Sequence, residues 1–189
     1  PAGGVAGSKY GASLIGAGDL VPFDMGGTST DISMIVNGEP ALSSTRGIAG
    51  QRIALQSLDI VSIASGGGSI ARVDAGGILR VGPESAGALP GPACYGKGGT
   101  EVAVTDASVV LGFLDPGNFL GGRETLDVAA AEAALSRLAN QLSVEPAEAA
   151  EGVHKVINTQ MAEGIRLVSV RRGVDPRKFA LLSFGGAAG

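Results

Sequence analysis

The chain has almost no cysteine or histidine and no surplus of basic charge. One cysteine, Cys94, excludes an intrachain disulfide framework and any multi-cysteine metal site, and it suits a reducing compartment. The only histidine, His154, falls in a predicted helix with nothing in sequence tying it to Cys94, so Cys94 reads as a packing residue without a base. Lys and Arg number 14 against 18 Asp and Glu, a formal charge of −4 that supplies no field for nucleic acid or an anionic membrane surface. A run of about 18 apolar residues is missing, as is a basic-then-apolar leader, and the expectation is a cytoplasmic protein. There is also no initiating methionine, and the sequence stops in a glycine turn directly after an apolar run, as an excised piece of a larger protein would.

Glycine is abundant instead, at 32 residues, with no Gly-X-Y period and beside 44% hydrophobic content, so neither collagen nor disorder fits. The glycines must serve turns and close backbone approaches in one substantial core with room for an elaboration. Residues 5–15 read as a short helix that packs through small side chains. Asn37-Gly38 is a two-residue hairpin signal leading into a strand over 39–44. A short apolar strand over 59–64 runs into Ser65-Gly66-Gly67-Gly68-Ser69. Gly66, Gly68 and Ala71 match G-x-G-x-x-A, but residues 72–81 alternate as a hairpin where the dinucleotide fingerprint needs a helix. That reading is rejected, and Gly66-Gly67 is expected to wall a nucleotide or substrate cleft.

Residues 82–99, with prolines at 83, 90 and 92, read as the least regular stretch, long for a passive loop, which favours function over its rival, disorder. A short helix follows over 105–111, with Thr105 as its cap and Asp106 complementing its N-terminal dipole. Residues 125–142 form an amphipathic helix. A longer one from Pro146 carries Ala150, Val153, Ile157, Met161, Ile165 and Val168 on one face and stops at Gly173. Residues 179–184 are wholly apolar and read as a strand buried on both sides, with Gly185-Gly186 at the end where ligands bind in open α/β sheets.

The stretch that carries chemistry is Phe23-Asp24-Met25-Gly26-Gly27-Thr28-Ser29-Thr30-Asp31-Ile32, two apolar arms around a glycine turn with an acid on either side. Gly26 and Gly27 are expected to reach positive φ and let backbone N–H groups approach an anion, while Thr28, Ser29 and Thr30 add hydroxyl donors. Carboxylates repel a phosphate unless a cation lies between them or one of them positions water, so Asp24 and Asp31 point to a nucleotide with Mg²⁺.

This run resembles the second phosphate loop of the actin-like ATPase superfamily, and its Thr28-Ser29-Thr30-Asp31-Ile32 ending is similar to the hydantoinase A / 5-oxoprolinase family. Pro1-Ala2-Gly3-Gly4-Val5 before it, then Gly91-Pro92-Ala93-Cys94-Tyr95-Gly96, Val104-Thr105-Asp106-Ala107 and Gly185-Gly186, resemble further segments in the expected order. The resemblance implies an α/β, actin-like (ribonuclease H-like) ATPase fold: a mixed sheet flanked by helices, with an inserted β-rich segment. Residues 1–189 would be the second, C-terminal-lobe part of the ATPase domain, and the insertion would cover about 66–104.

The activity it implies is ATP-dependent ring opening of a cyclic amide such as a hydantoin or 5-oxoproline. It gives Gly26, Gly27, Thr28, Ser29 and Thr30 to the phosphates, Asp24 to Mg²⁺ or water, Asp31 to a companion role, Gly185-Gly186 to the adenosine, and makes Asp106 a candidate cleft residue. It leaves room for a hydantoinase B-like second subunit and for a homo-oligomer. An acetone-carboxylase-like subunit, a carbohydrate kinase and a non-enzymatic ATP-gated assembly subunit share the same loops and stay open as alternatives.

Overall fold

The computed structural model describes residues 1–44, 46–48 and 50–188, with backbone alone for Arg46, Ile48 and Arg52; Gly189 lies outside the described residues. In chain order the elements are helix α1 (Ala2–Ile15) and strands β1 (Leu20–Met25), β2 (Thr30–Ile32), β3 (Ile35–Val36), β4 (Glu39–Pro40), β5 (Leu42–Ser43), β6 (Arg46–Ile48), β7 (Gln51–Ile53), β8 (Ser57–Leu58), β9 (Val61–Ile63), β10 (Ser69–Val73), β11 (Leu79–Ser85) and β12 (Val102–Ala103). Helices α2 (Val104–Val110), α3 (Val128–Leu142) and α4 (Pro146–Ser169) follow, and strand β13 (Ala180–Phe184) is last. The chain divides into a first unit of Pro1–Asp24, Asp31–Ile63 and Ala162–Gly185 and a second of Met25–Thr30, Ala64–Met161 and Gly186–Gly189.

The first unit is built on a six-stranded mixed sheet in the order β4-β3-β1-β2-β9, with β13 pairing β1 in parallel, Leu20 opposite Ala180 through Asp24 opposite Phe184. β2 and β3 are pieces of one run, because across the break Ser33 N–H still donates to Pro22 O at 3.1 Å. Asn37 (φ 51°) and Gly38 (φ 78°) turn β3 into β4 with both φ values positive, as a two-residue hairpin requires. Ile32, Met34 and Ile35 are fully enclosed, and Val5, Ser8 and Ala12 form the buried face of α1.

Two expectations fail in this unit. The strand over 39–44 splits into β4, which pairs β3, and β5, which pairs β8; Ala41 N–H still donates to Met34 O at 2.9 Å beyond Pro40, so the proline is not what ends the pairing. β13 is not buried on both sides: among the described residues it pairs only with β1, and Leu181 is 57% exposed.

The second unit holds the three-stranded antiparallel sheet β11-β10-β12 together with α2, α3 and most of α4. The hairpin expected over 72–81 is the β10–β11 turn, where Asp74 Oδ1 accepts the N–H groups of Gly76 (2.9 Å) and Ile78 (3.0 Å). Helix α3 begins three residues later than periodicity suggests, because Asp127 caps it by accepting the Ala130 N–H at 2.9 Å. Ala131, Ala134, Leu135, Leu138 and Ala139 form its buried stripe, and on α4 Ala149, Ala150, Val153 and Ile157 do the same. No helix among the described residues is long and apolar enough to cross a membrane.

Candidate functional site

The turn at Met25–Thr30 lies in the second unit, and its backbone is held from one side. It closes on itself through Gly26 N–H donating to Ser29 O at 2.9 Å. The Gly66-Gly67-Gly68 loop then takes both exposed glycine carbonyls: Gly67 N–H donates to Gly26 O at 3.0 Å and Gly68 N–H to Gly27 O at 2.6 Å. Thr30 Oγ1, fully buried, donates to Ser65 O at 2.5 Å, and Ala187 N–H donates to Met25 O at 3.0 Å.

A trans peptide sets its C=O and N–H on opposite sides of one plane. With Gly26 O and Gly27 O both turned toward Gly66-Gly67-Gly68, the N–H groups of Gly27 and Thr28 are turned away from it. Gly27 and Thr28 are exposed, and among the described residues nothing accepts from the N–H groups of Gly27, Thr28 or Ser29. Successive free donors of this kind form an anion cradle.

The glycine chemistry differs from expectation in a specific way. Gly26 and Gly27 are not at positive φ, and a Cβ on Gly27 would meet nothing within 4 Å. The steric demand sits on the supporting loop instead. A Cβ on Gly66 would lie 2.6 Å from Gly26 O, one on Gly67 2.9 Å from Thr105 Oγ1, and one on Gly68 2.9 Å from Gly27 O. Gly66-Gly67 is thus packed against the Met25–Thr30 turn.

Sequence reasoning also missed Ser85, whose hydroxyl stands 3.4 Å from Thr28 Oγ1 and accepts the Gly87 N–H at 3.1 Å. Only the end of an alternating strand beside a glycine turn marks it in the sequence.

Both acids belong to the first unit. Asp24, next to last in β1, is partly exposed, with Phe184 as its register partner on β13. A Cβ on Gly4 would lie 2.8 Å from the Phe184 ring and 3.6 Å from Asp24 Oδ2, so the first turn of α1 comes close to this carboxylate only because residue 4 is glycine. Asp31 is also partly exposed and accepts a hydrogen bond from the Ser62 hydroxyl. Gly185 (φ 104°) ends β13 in a conformation that favours glycine, and Gly186 has open space where a Cβ would stand.

Asp106 is elsewhere in character. It is fully buried at the start of α2, and its carboxylate accepts the N–H groups of Ala103 (2.8 Å), Cys94 (2.7 Å) and Ala93 (3.2 Å). The candidate cleft acid therefore ties the residue 93–95 turn to the first turn of α2. Thr105 is not the cap of that helix: Ala103 holds the N-cap position, and the Thr105 hydroxyl goes to Gly67 O.

Cys94 is fully buried beside Val109, Leu126 and Ala131, and burial, then the charge of Asp106, pushes its thiol far above the ordinary range, which removes it as a nucleophile. His154 is half-buried, with Nε2 3.0 Å from Ser108 Oγ and its ring 5.0 Å from that of Phe113. Burial lowers its pKa.

No group of three or more His, Cys, Asp or Glu side chains among the described residues could by itself hold a metal ion. A Mg²⁺ site of one carboxylate completed by phosphate oxygens and water needs no such group. The open space at Gly27 and the outward N–H groups fit a phosphate chain.

A protein-family model described as "Hydantoinase/oxoprolinase" matches residues 1–189. The caprolactamase alpha subunit of Pseudomonas jessenii is 45% identical over 179 residues, covering 94% of this chain and 26% of that protein. The crystal structure of the ATP-dependent caprolactamase from the same organism superposes with a TM-score of 0.83 at 44% identity, over 92% of this chain and 25% of that one. 5-Oxoprolinase 1 of Arabidopsis thaliana is 42% identical over 207 residues, covering 99% of this chain and 16% of that protein. A nucleotide-free acetone carboxylase, solved for the mechanism of ATP-dependent acetone carboxylation, superposes with a TM-score of 0.87 at 31% identity, over 97% of this chain and 26% of that one. The chain spans about a quarter of the length of the first curated relatives it matches. The α/β, actin-like ATPase fold expected from the sequence is the fold these neighbours share with it.

Proposed function

The chain belongs to the hydantoinase/oxoprolinase family, and from that premise we propose that it is the phosphate-loop part of a protein that opens a cyclic amide at the expense of ATP. The observation that carries this reading is the pair of pinned carbonyls at Gly26 and Gly27, which leaves the N–H groups of Gly27 and Thr28 turned outward with Ser29 beside them. Residues 1–189 are then the second part of the ATPase domain, with the β-rich residues about 66–104 inserted into it.

In this reading Gly27, Thr28 and Ser29 hold phosphate oxygens through backbone donors, while Gly26, its N–H spent on Ser29 O, closes the turn and Thr30 fixes it from its buried side. Ser85 adds a hydroxyl next to that of Thr28. Asp24 orients Mg²⁺ or the water that coordinates it, Asp31 stands as its companion, and Gly185-Gly186 leaves room for the adenosine. When bound, ATP supplies the phosphoryl group that turns an unreactive amide carbonyl into a competent acyl target for water. The names of the relatives, a caprolactamase and a 5-oxoprolinase, support a lactam-type substrate, and the word subunit in the first of these supports a second polypeptide as partner.

The test is phosphate release by the full-length protein with Mg·ATP, alone and with caprolactam, 5-oxoproline or a hydantoin. One of these should stimulate release, and Asp24→Ala should lower it by about 10²-fold or more. Release indifferent to every cyclic amide and unchanged in Asp24→Ala would sink both the substrate class and the role of the acid. The likeness to acetone carboxylase favours a second reading, ATP-dependent carboxylation; stimulation by a ketone with bicarbonate, and not by cyclic amides, would select it.

A further inference from the structure

Val104-Thr105-Asp106-Ala107 is the motif to which the phosphate-loop reading gives no task. Thr105, 6% exposed, sends two donors to one acceptor: its backbone N–H and its Oγ1 each reach Gly67 O at 2.8 Å. A carbonyl held twice from one residue is fixed in direction, and with it the whole planar Gly67–Gly68 peptide. The opposite end of that plane is the Gly68 N–H, which donates to Gly27 O at 2.6 Å. Gly27 O in turn shares its plane with the Thr28 N–H, one of the outward donors of the cradle. Two rigid planes in series thus connect the Thr105 hydroxyl to the direction of a phosphate-binding N–H.

Thr105 is itself held firmly. The neighbouring Asp106 accepts N–H groups from Ala93, Cys94 and Ala103 and so locks the first turn of α2 in place. The contact with Gly67 has no slack, because a Cβ on that residue would strike Thr105 Oγ1 at 2.9 Å.

We infer that Thr105 is a positioning residue for the phosphate loop, aiming the Thr28 N–H at the bound nucleotide through the Gly67–Gly68 peptide. The inference rests on the nucleotide reading of the Met25–Thr30 turn. A threonine that merely packs α2 would, when changed, lower thermal stability and leave nucleotide affinity alone.

The experiment compares the full-length wild type with Thr105→Val, which keeps the shape and loses the hydroxyl, and Thr105→Ser, which restores it. Thr105→Ala stands in should Thr105→Val fail to fold. KM for Mg·ATP and kcat are measured from phosphate release, and amide hydrogen exchange is followed at residues 27–29. Thr105→Val should raise KM by about 5- to 10-fold, the usual worth of one hydrogen bond, and hasten exchange at residues 27–29, while Thr105→Ser keeps wild-type values. A Thr105→Val protein with wild-type KM and exchange, or a Thr105→Ser protein as impaired as Thr105→Val, overturns the positioning role. A wild type that fails to bind Mg·ATP at all is a different result, which overturns the nucleotide reading of the loop and this inference along with it.

Discussion

At Gly66, Gly67 and Gly68 the missing Cβ is a packing requirement, since each would strike the Met25–Thr30 turn or Thr105 at under 3 Å. At Gly27 the chain itself asks for nothing: φ is ordinary and the space is open. The same residue type therefore has two causes a few ångströms apart, and two substitutions separate them. Gly66→Ala forces a methyl into backbone atoms and should destabilise the protein by about 1–3 kcal/mol in thermal or urea unfolding. Gly27→Ala should leave stability within about 0.5 kcal/mol, as an exposed change away from packing does. If the turn holds nucleotide as proposed, the same substitution should still cost the full-length protein about 10-fold or more in Mg·ATP affinity, because the methyl would stand in the path of the phosphates. A Gly27→Ala protein that binds Mg·ATP as wild type does would remove the cradle from the binding site.

Among the elements, the helices were legible and the supports of the loop were not. α4 shows its buried stripe in the sequence, and Gly173 caps the 3₁₀ turn over Val170–Arg172 into which the helix tightens after Ser169, because both depend on residues within a few turns. The Asn37-Gly38 hairpin is equally local. The split of the strand over 39–44 and the exposure of β13 were not legible, since a run of residues does not state which or how many strands flank it. Of the candidate site, Asp24 to Asp31 stands out as a motif, whereas the bonds from Gly67 and Gly68 to Gly26 and Gly27 join backbone atoms about forty positions apart. Backbone atoms are the same in every residue, so the only trace they leave is the lack of side chains at Gly66 to Gly68.

Asp106 is the case between these extremes. Its position at a helix start was visible, but its carboxylate's hold on the 93–95 turn needs the fold. Asp106→Asn would keep one acceptor oxygen and place an NH₂ against N–H donors, costing about 3 kcal/mol in urea unfolding. Cys94 reports the same loss independently. Its thiol, now held up by burial and by the Asp106 charge, should react with a thiol reagent faster in folded Asp106→Asn than in wild type. Equal labelling rates would mean that the turn does not depend on the carboxylate.

On the scale of the whole molecule, one histidine in 189 residues makes the pH dependence of stability separable into two windows. His154 has its pKa lowered by burial from the ordinary 6.5, so as pH falls below about 6.5 the unfolded chain takes up a proton that the folded chain still refuses. Stability must therefore decline with falling pH, from about 6.5 down to the folded pKa, and then level off. The carboxylates act lower. Asp74 is held down first by the Ile78 N–H, Glu84 by Arg72, and Asp175 by Arg177 to about 2, so what they contribute is present above their unfolded values near 4 and is lost only as pH drops below that. All three are at the surface, and solvent and salt screen their share. Urea unfolding between pH 7 and 5 should accordingly show a decline that vanishes in His154→Gln, while the further loss below pH 4 survives that substitution. A His154→Gln protein that declines between pH 7 and 5 as steeply as wild type would assign the upper window to some other group and separate His154, with its Ser108 contact, from the acid sensitivity of the fold.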